Sequence, residues 1–537
     1  MNFATVCGSL VLKLKGEMHY RSFIDQAKDV QKVQLGVLTK FLQLFKDGLF
    51  GEAFQINKVS NVEEFQKFVP ICDYESLRLA LSDHLNYKPY LYLKTSGTTG
   101  EPKYIPLRQT TLKKFKKYQL INTYSQLKAV PEIFSGKLLA IRSPMIEGYF
   151  NSVPVGSMSG VYYECLDPYI KAKGVVPLWV LGEPDYSKKV AFSLIFSLIS
   201  QKVTCLASAN PTTFFRLKQI FIETRDVIRD CILKGNFSSF GESYGEFKFK
   251  TAPRVKSEIL NLLDIDSPKL IDIFPNLKAI VTWKEGPCSL SALKLKDELN
   301  PGVKILEAGY LASEGWLTVV IDPLEGICVP AFDNYFFEFL EIDEHLSVSD
   351  RPLRLHQLEK GKKYSIIFTS LDGLIRYNIN DIVEVCDFFK GIPCLRFVQK
   401  GKGITNITGE KVSEIQITET VKQVSRKLGF QISNFFCVAN ERDQRYEFFL
   451  QRLCSDHSEL STMLDLVLQD MNVEYKAKRE SQRLKKPLIK WLSANGYSLF
   501  CDYFVKNGQR ATQLKPPVLL YRKDLPENFL ETLVNDN

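Results

Sequence analysis

"YLYLKTSGTTGEPKYIP" (Tyr90–Pro106) runs from alternating apolar residues into six consecutive Thr, Ser and Gly residues, then into a charged turn closed by Lys103 and Pro106. The alternation predicts a strand, the abrupt change of composition a loop, and "TTLKKFKKYQLI" beyond it a helix. A strand, a glycine- and hydroxyl-rich loop and a helix in that order suit an anion. Glycines let successive backbone N–H groups converge, hydroxyls add donors and a lysine adds charge. The spacing is not that of a P-loop, because Gly97 and Gly100 lie too close together and Lys103 is followed by Tyr. Composition alone leaves a plain surface loop equally open.

Outward from this stretch, strand-like and helical runs alternate. "KLLAIRSP", "KVTCLAS", "LKAIVTW", "VKILEAGY" and "YSIIFTS" read as strands. "KKVAFSLIFSLIS" and "NPTTFFRLKQIF" read as helices, the second opened by Asn210-Pro211. Such alternation predicts an α/β protein with mostly parallel sheet. Ahead of Tyr90, residues from about 20 to 85 read as helical, with Asp73 as an N-cap. Beyond Asp381 the texture changes. "DIVEVCDFF" and "CLRFVQKGKG" read as short antiparallel strands, "SEIQ" from Ser413 as a capping box, "QISNFFCVANERDQRYEFFLQRL" as a hairpin and "PVLLYR" as a last strand. The expected organisation is a large N-terminal domain (1–398), a glycine-bearing hinge (399–403) and a small α+β C-terminal domain (404–537).

The chain has 537 residues, 45% hydrophobic and 24% charged, enough for one large catalytic domain and a smaller one. Its net charge of +9 (70 basic less 61 acidic residues) is mild, and clusters such as "KKFKK" read as solvated helix faces. No nucleic-acid motif accompanies them, so no nucleic-acid partner is expected. The 12 cysteines and 5 histidines are scattered without metal-ligand spacing, which argues against zinc and for a reduced, cytoplasmic setting. The N-terminal stretch is broken by Lys13, Lys15 and Glu17, and "VAFSLIFSLIS" is too short to span a bilayer, so no membrane association is expected.

Two further stretches bear on chemistry. "KILEAGYLASEGWL" places Ser313 and Glu314 in a turn after Gly309-Tyr310, and "GLIRYNINDIVEV" sets Asp381 at the start of a β-run. With the loop, and in this order, they resemble the adenylate-forming superfamily. Within it the chain resembles the acyl acid amido synthetases, the Gretchen Hagen family first known as auxin-responsive proteins. "VPICDYESL" and "TSGTTGEPKYIP" are similar to the family's first motif and the segment before it. "NLKAIVTWKEGPCSLSALK" resembles the loop bordering the nucleotide, "GYLASEG" the Tyr-x-x-Ser-Glu segment and "RYNIND" the Tyr-Arg-Val-Gly-Asp segment. "GITNITGEKVSE" resembles the loop that swings into the active site, and "QLKPP" the Gln-Tyr-Lys-Thr-Pro ending. Asn378 and Asn380 depart from the usual Arg and Gly beside Asp381, Ala312 from the Ser of plant members, and "ITGEK" is closer to microbial relatives.

The resemblance implies a large adenylate-forming domain and a monomeric ligase that uses ATP and Mg²⁺. It would convert a carboxylic acid to an acyl-adenylate with release of pyrophosphate, then pass the acyl group to an amino acid. Thr95, Ser96, Gly97, Thr98, Thr99 and Gly100 would wrap the phosphates with Lys103, and Glu314 would bind Mg²⁺. Tyr310 and Ser313 would border the nucleotide, and Asp381 would accept hydrogen bonds from the ribose. Lys515 would enter from the small domain between the acyl carboxylate and the α-phosphate. Met158, within "PVGSMSGVYY", and Trp283 would line the acyl pocket. A CoA ligase on the same scaffold and a non-enzymatic module binding nucleotide or acyl-adenylate are the alternatives. "QLKPP" favours an amine acceptor over CoA, and joint retention of Lys103, Glu314, Asp381 and Lys515 speaks against simple binding.

Overall fold

A computed structural model of the protein describes residues 3–83, 85–94, 103–343, 348–401, 403–408, 410–429, 432, 434–451, 459–507, 514, 516–526 and 528–534. Four of the predicted strands, Lys137–Ala140, Val203–Ala207, Ala279–Thr282 and Lys304–Glu307, lie side by side in that order as a parallel sheet. Their side chains divide by alternation. Leu139, Leu206 and Ile280 pack among the helices Tyr186–Ser200, Thr212–Glu223, Arg225–Lys234 and Pro253–Leu263. Leu138, Cys205, Val281 and Leu306 face Leu127 and Val130 on the other side. A sheet covered on both faces needs apolar residues throughout, and Ala279–Thr282 is buried at every position.

The α/β class holds, with the all-parallel ladder concentrated in this one sheet. "YSIIFTS" (within Lys363–Ser370) belongs instead to a five-stranded antiparallel sheet, between Tyr335–Ile342 and Tyr377–Phe389. Its sequence neighbours are strands rather than helices, so no crossover exists to bring it in parallel. Among the described residues no helix is long and apolar enough to cross a membrane.

One expectation is corrected. The loop does not open a helix, because Leu91–Lys94 pairs antiparallel with Tyr104–Leu107, and residues 95–102 join the two. The helix Gln109–Ala129 begins only after that second strand. Its first turn is already occupied: Asp372 Oδ1 accepts from the Arg108 N–H at 2.7 Å and from Thr111 Oγ1 at 2.9 Å. The helix dipole therefore serves Asp372 rather than a ligand in the loop.

In the small domain, Ser413 and Gln416 cap Glu414–Leu428 reciprocally, as "SEIQ" predicted. The hairpin Phe435–Asn440/Arg445–Gln451 forms the centre of a four-stranded sheet edged by Leu488–Leu492 and Leu519–Tyr521. At the junction, Ile392–Lys400 remains paired to its last residue, with Gln399 opposite Ile382 and Lys400 opposite Asp381. The next residue, Gly401, still donates its N–H to Asn380 O at 2.8 Å.

Candidate active site

"RYNIND" builds the first part of the site. Arg376 is buried and makes two 2.9 Å bonds to Glu338, while its Nη1 donates to the carbonyls of Gln66 and Val69. The Cys72 N–H donates to Arg376 O at 3.0 Å and the Asn378 N–H to Cys72 O at 2.8 Å. "VPICDYESL" is thus the clamp that holds this strand. Asn380 then takes φ 58°, where the strand's pairing slips by two residues against Lys363–Ser370. Asn tolerates the left-handed region because its short polar side chain bonds locally, so it performs the backbone task of the glycine it replaces. Asn378 Oδ1 supports the bulge by accepting from the Asn380 N–H at 2.8 Å. Such a bulge re-aims the next side chain, and that side chain is Asp381.

Asp381 is buried, accepts from the Tyr310 hydroxyl and pairs with the Lys400 ammonium. Burial and the Asp381 charge push the Tyr310 hydroxyl well above the usual phenol range, so it stays a donor. Burial pulls against the Lys400 charge, but Asp381 and Glu314 outweigh it and raise its ammonium above the ordinary lysine range. The Lys400 side chain keeps 54% of its surface exposed, so that attraction is partly screened. Tyr310 also packs against Phe397, 5.4 Å between ring centroids.

Ser313 and Glu314 form the two-residue turn of a small hairpin, Leu311–Ala312 against Gly315–Trp316. Ser313 Oγ donates to Lys94 O at 3.5 Å, which ties the turn to the strand before the loop. The Glu314 side chain is only 10% exposed, with Oε1 3.8 Å from Lys103 Nζ and 3.4 Å from the Tyr377 hydroxyl. Lys103 Nζ donates to the same hydroxyl at 3.2 Å and lies 5.6 Å from the Tyr74 ring. Burial, then Glu314 and Asp381, drive the Tyr377 hydroxyl far above the ordinary phenol range. It is a fixed proton donor between a lysine and a carboxylate.

The structure therefore brings Lys103, Ser313, Glu314, Tyr310 and Asp381 together. Trp283 borders the same end of the parallel sheet, its indole N–H donating 2.8 Å to Gly309 O directly before Tyr310. Met158 is buried in the main core at the start of the helix Met158–Glu164 and takes no part in the polar cluster. Thr95, Ser96, Gly97, Thr98, Thr99, Gly100 and Lys515 lie outside the described residues.

Tyr377 and Lys400 were not anticipated, though a signal for Lys400 exists. Lys390 and Gly391 have φ 50° and 82°, the turn geometry of a tight hairpin. Counting outward from that turn sets Asp381 opposite Lys400. Tyr377 carries no comparable mark, because its neighbours in space come from residues far away in the chain.

Solved ligases share this fold. 2-Hydroxyisobutyryl-CoA ligase in its postadenylation state superposes with a TM-score of 0.52 at 13% identity, covering 93% of this chain and 90% of that one. A solved GH3.15 acyl acid amido synthetase superposes with a TM-score of 0.83 at 18% identity, over 96% of both chains. The particular family follows from sequence. Residues 19–299 match the GH3 family N-terminal domain, 328–400 its central domain and 415–524 its C-terminal domain, and the chain belongs to this family. Similar relatives include a jasmonoyl–L-amino acid synthetase of Nicotiana attenuata, 23% identical over 97% of this chain and 98% of its own. An indole-3-acetic acid-amido synthetase of Arabidopsis thaliana is 26% identical over 68% of each chain.

Proposed function

We propose that the protein is an ATP-dependent acyl acid amido synthetase. In the first half-reaction a carboxylate oxygen bonds to the α-phosphorus of ATP and the bond to pyrophosphate breaks. In the second, an amino acid's amine attacks the acyl carbon, AMP leaves with the bonding electrons and the amine gives up a proton. The observation that carries this reading is the convergence of three distant segments on two adjoining polar groups, Lys103–Tyr377–Glu314 and Tyr310–Asp381, each within electrostatic reach of the other. The relatives named as amido synthetases support the choice of an amine acceptor.

Charge concentrates at phosphorus in the first transition state, so preorganised donors and cations matter most there. Lys103 supplies a cation already held by Tyr377, and Tyr377 supplies a proton that it does not lose. Asp381 would accept from ribose hydroxyls, its aim set by the Asn380 bulge, and the loop from Thr95 to Gly100 would wrap the outer phosphates. Trp283 would form a wall of the acyl pocket. Glu314 fits Mg²⁺: it is one nearly buried carboxylate, and that ion is ordinarily shared between one or two carboxylates, water and substrate phosphates. When bound, the ion would neutralise phosphate charge. Lys515, arriving with the small domain, would complete the adenylation site.

The test is a pyrophosphate-release screen of carboxylic acids, each run with and without mixed amino acids and with and without CoA. Release sustained by amino acids, with the amide found by mass spectrometry, is the expected result. A requirement for CoA, or silence across the panel, would overturn the reading.

A further inference from the structure

Asn210 ends the turn after the strand Val203–Ala207, at the carboxyl edge of the parallel sheet, and is 3% exposed. The turn is fastened to the next strand, since Ala209 O accepts from the Trp283 N–H at 2.9 Å and from Thr282 Oγ1 at 3.0 Å. Both ends of the Asn210 amide are used. Oδ1 accepts from Thr212 N and Thr212 Oγ1, both at 2.9 Å, and opens the helix Thr212–Glu223. Nδ2 leaves the large domain and donates to the carbonyl of Leu514, the residue before Lys515.

Leu514 is held from its own side as well, with its side chain packed against the cluster that contains Phe436 and Phe500. On the other side of Lys515 in sequence, the Val518 N–H donates to buried Glu414 at 3.1 Å, and Val518 O accepts from the Cys437 N–H at 2.7 Å. Lys515 thus lies in the chain between two anchored residues, and only one anchor crosses to the large domain. We infer that Asn210 is a positioning residue that docks the Lys515-bearing segment of the small domain onto the carboxyl edge of the parallel sheet for adenylation. The bond is made by a side-chain amide to one carbonyl, so it holds one domain arrangement and must be released for any other.

The inference rests on the proposed role of Lys515, and the test separates the two. Asn210→Asp keeps the acceptor for Thr212 and turns the donor into a group that repels the Leu514 carbonyl; Asn210→Ala removes cap and donor together. The probe is α,β-methylene-ATP with Mg²⁺, its affinity measured by calorimetry beside thermal melting. Asn210→Asp should melt like the unaltered chain yet bind about tenfold more weakly. Asn210→Ala should melt lower and bind no more weakly than Asn210→Asp. Lys515→Ala should also weaken binding, and adding Asn210→Asp to it should weaken binding no further, because both changes undo one contact. Unchanged affinity in Asn210→Asp beside an impaired Lys515→Ala, or losses that multiply in the double variant, would overturn the docking role alone. Unchanged affinity in Lys515→Ala would remove the assignment of Lys515, and the docking role with it.

Discussion

Tyr377 accepts from Lys103 and donates to Glu314, so its hydroxyl fixes the geometry of an ion pair that spans 3.8 Å. Glu314→Gln keeps size and hydrogen bonding but removes charge, so adenylation should fall by about a hundredfold or more while melting stays the same. Pyrophosphate release across a Mg²⁺ titration checks this, and an unchanged metal requirement would take Glu314 out of the site. Tyr377→Phe deletes only the hydroxyl. A bond to charged groups is involved, so the expected loss is about 10- to 100-fold in the same assay. A fully active Phe variant would reduce Tyr377 to packing.

At the scale of elements, the bulge at Asn380 decides where Asp381 points. Asn380→Gly should leave stability and nucleotide binding nearly unchanged, whereas Asn380→Val, unsuited to φ 58°, should cost about 1–2 kcal/mol in urea melts and weaken ATP binding. Equal midpoints for the two variants would show that the bulge can relax. The seam between the helix Glu414–Leu428 and the last strand carries a different signature. Glu414 is buried under the Val518 and Leu519 N–H groups, and burial pushes its carboxyl up to about 7. The folded state therefore holds the proton more tightly than the unfolded chain. The stability from this group is complete below the usual glutamate range near 4.5 and is lost as pH rises through about 7. Glu414→Gln should remove that slope, shifting relative stability toward the variant by up to about 3 kcal/mol between pH 4.5 and 7.5. Parallel urea-melt profiles for variant and unaltered chain would show that Glu414 does not titrate there.

For the whole molecule, two half-reactions over one adenylate need two arrangements, because an acceptor amine must reach space first taken by ATP. The pairing of Asp381 with Lys400 means that a rotation starting at Gly401 would leave Lys400 with the nucleotide side throughout. Gly401 itself is constrained: its N–H donates to Asn380 O at 2.8 Å, and a Cβ there would come within 2.5 Å of Asn380 Oδ1. Proline at 401 would thus disturb the bulge as well as the link. The cleaner probe is Lys515→Ala, expected to impair acyl-adenylate formation strongly while largely sparing amide formation from a supplied acyl-adenylate. Equal losses in both half-reactions would end that division of labour.

Local pattern determined a good part of this protein. Short apolar runs marked the strands of the parallel sheet, Asp73, Asn210 and Ser413 announced their helices, and the family resemblance carried by the ordered motifs named Lys103, Tyr310, Glu314 and Asp381 as candidates. These signals are legible because caps, turns and periodicity act over a few residues. Tertiary structure decided the rest. The antiparallel pairing of Leu91–Lys94 depends on its finding Tyr104–Leu107, and a four-residue run does not state its partner. Tyr377 enters the site only because Arg376 is clamped by Glu338 and Cys72, and Lys400 only because a hairpin folds it back onto Asp381. Asn210 reads in sequence as a helix cap and nothing more. The bond from its amide nitrogen, to a carbonyl some 300 residues away, exists only once the two domains are packed together.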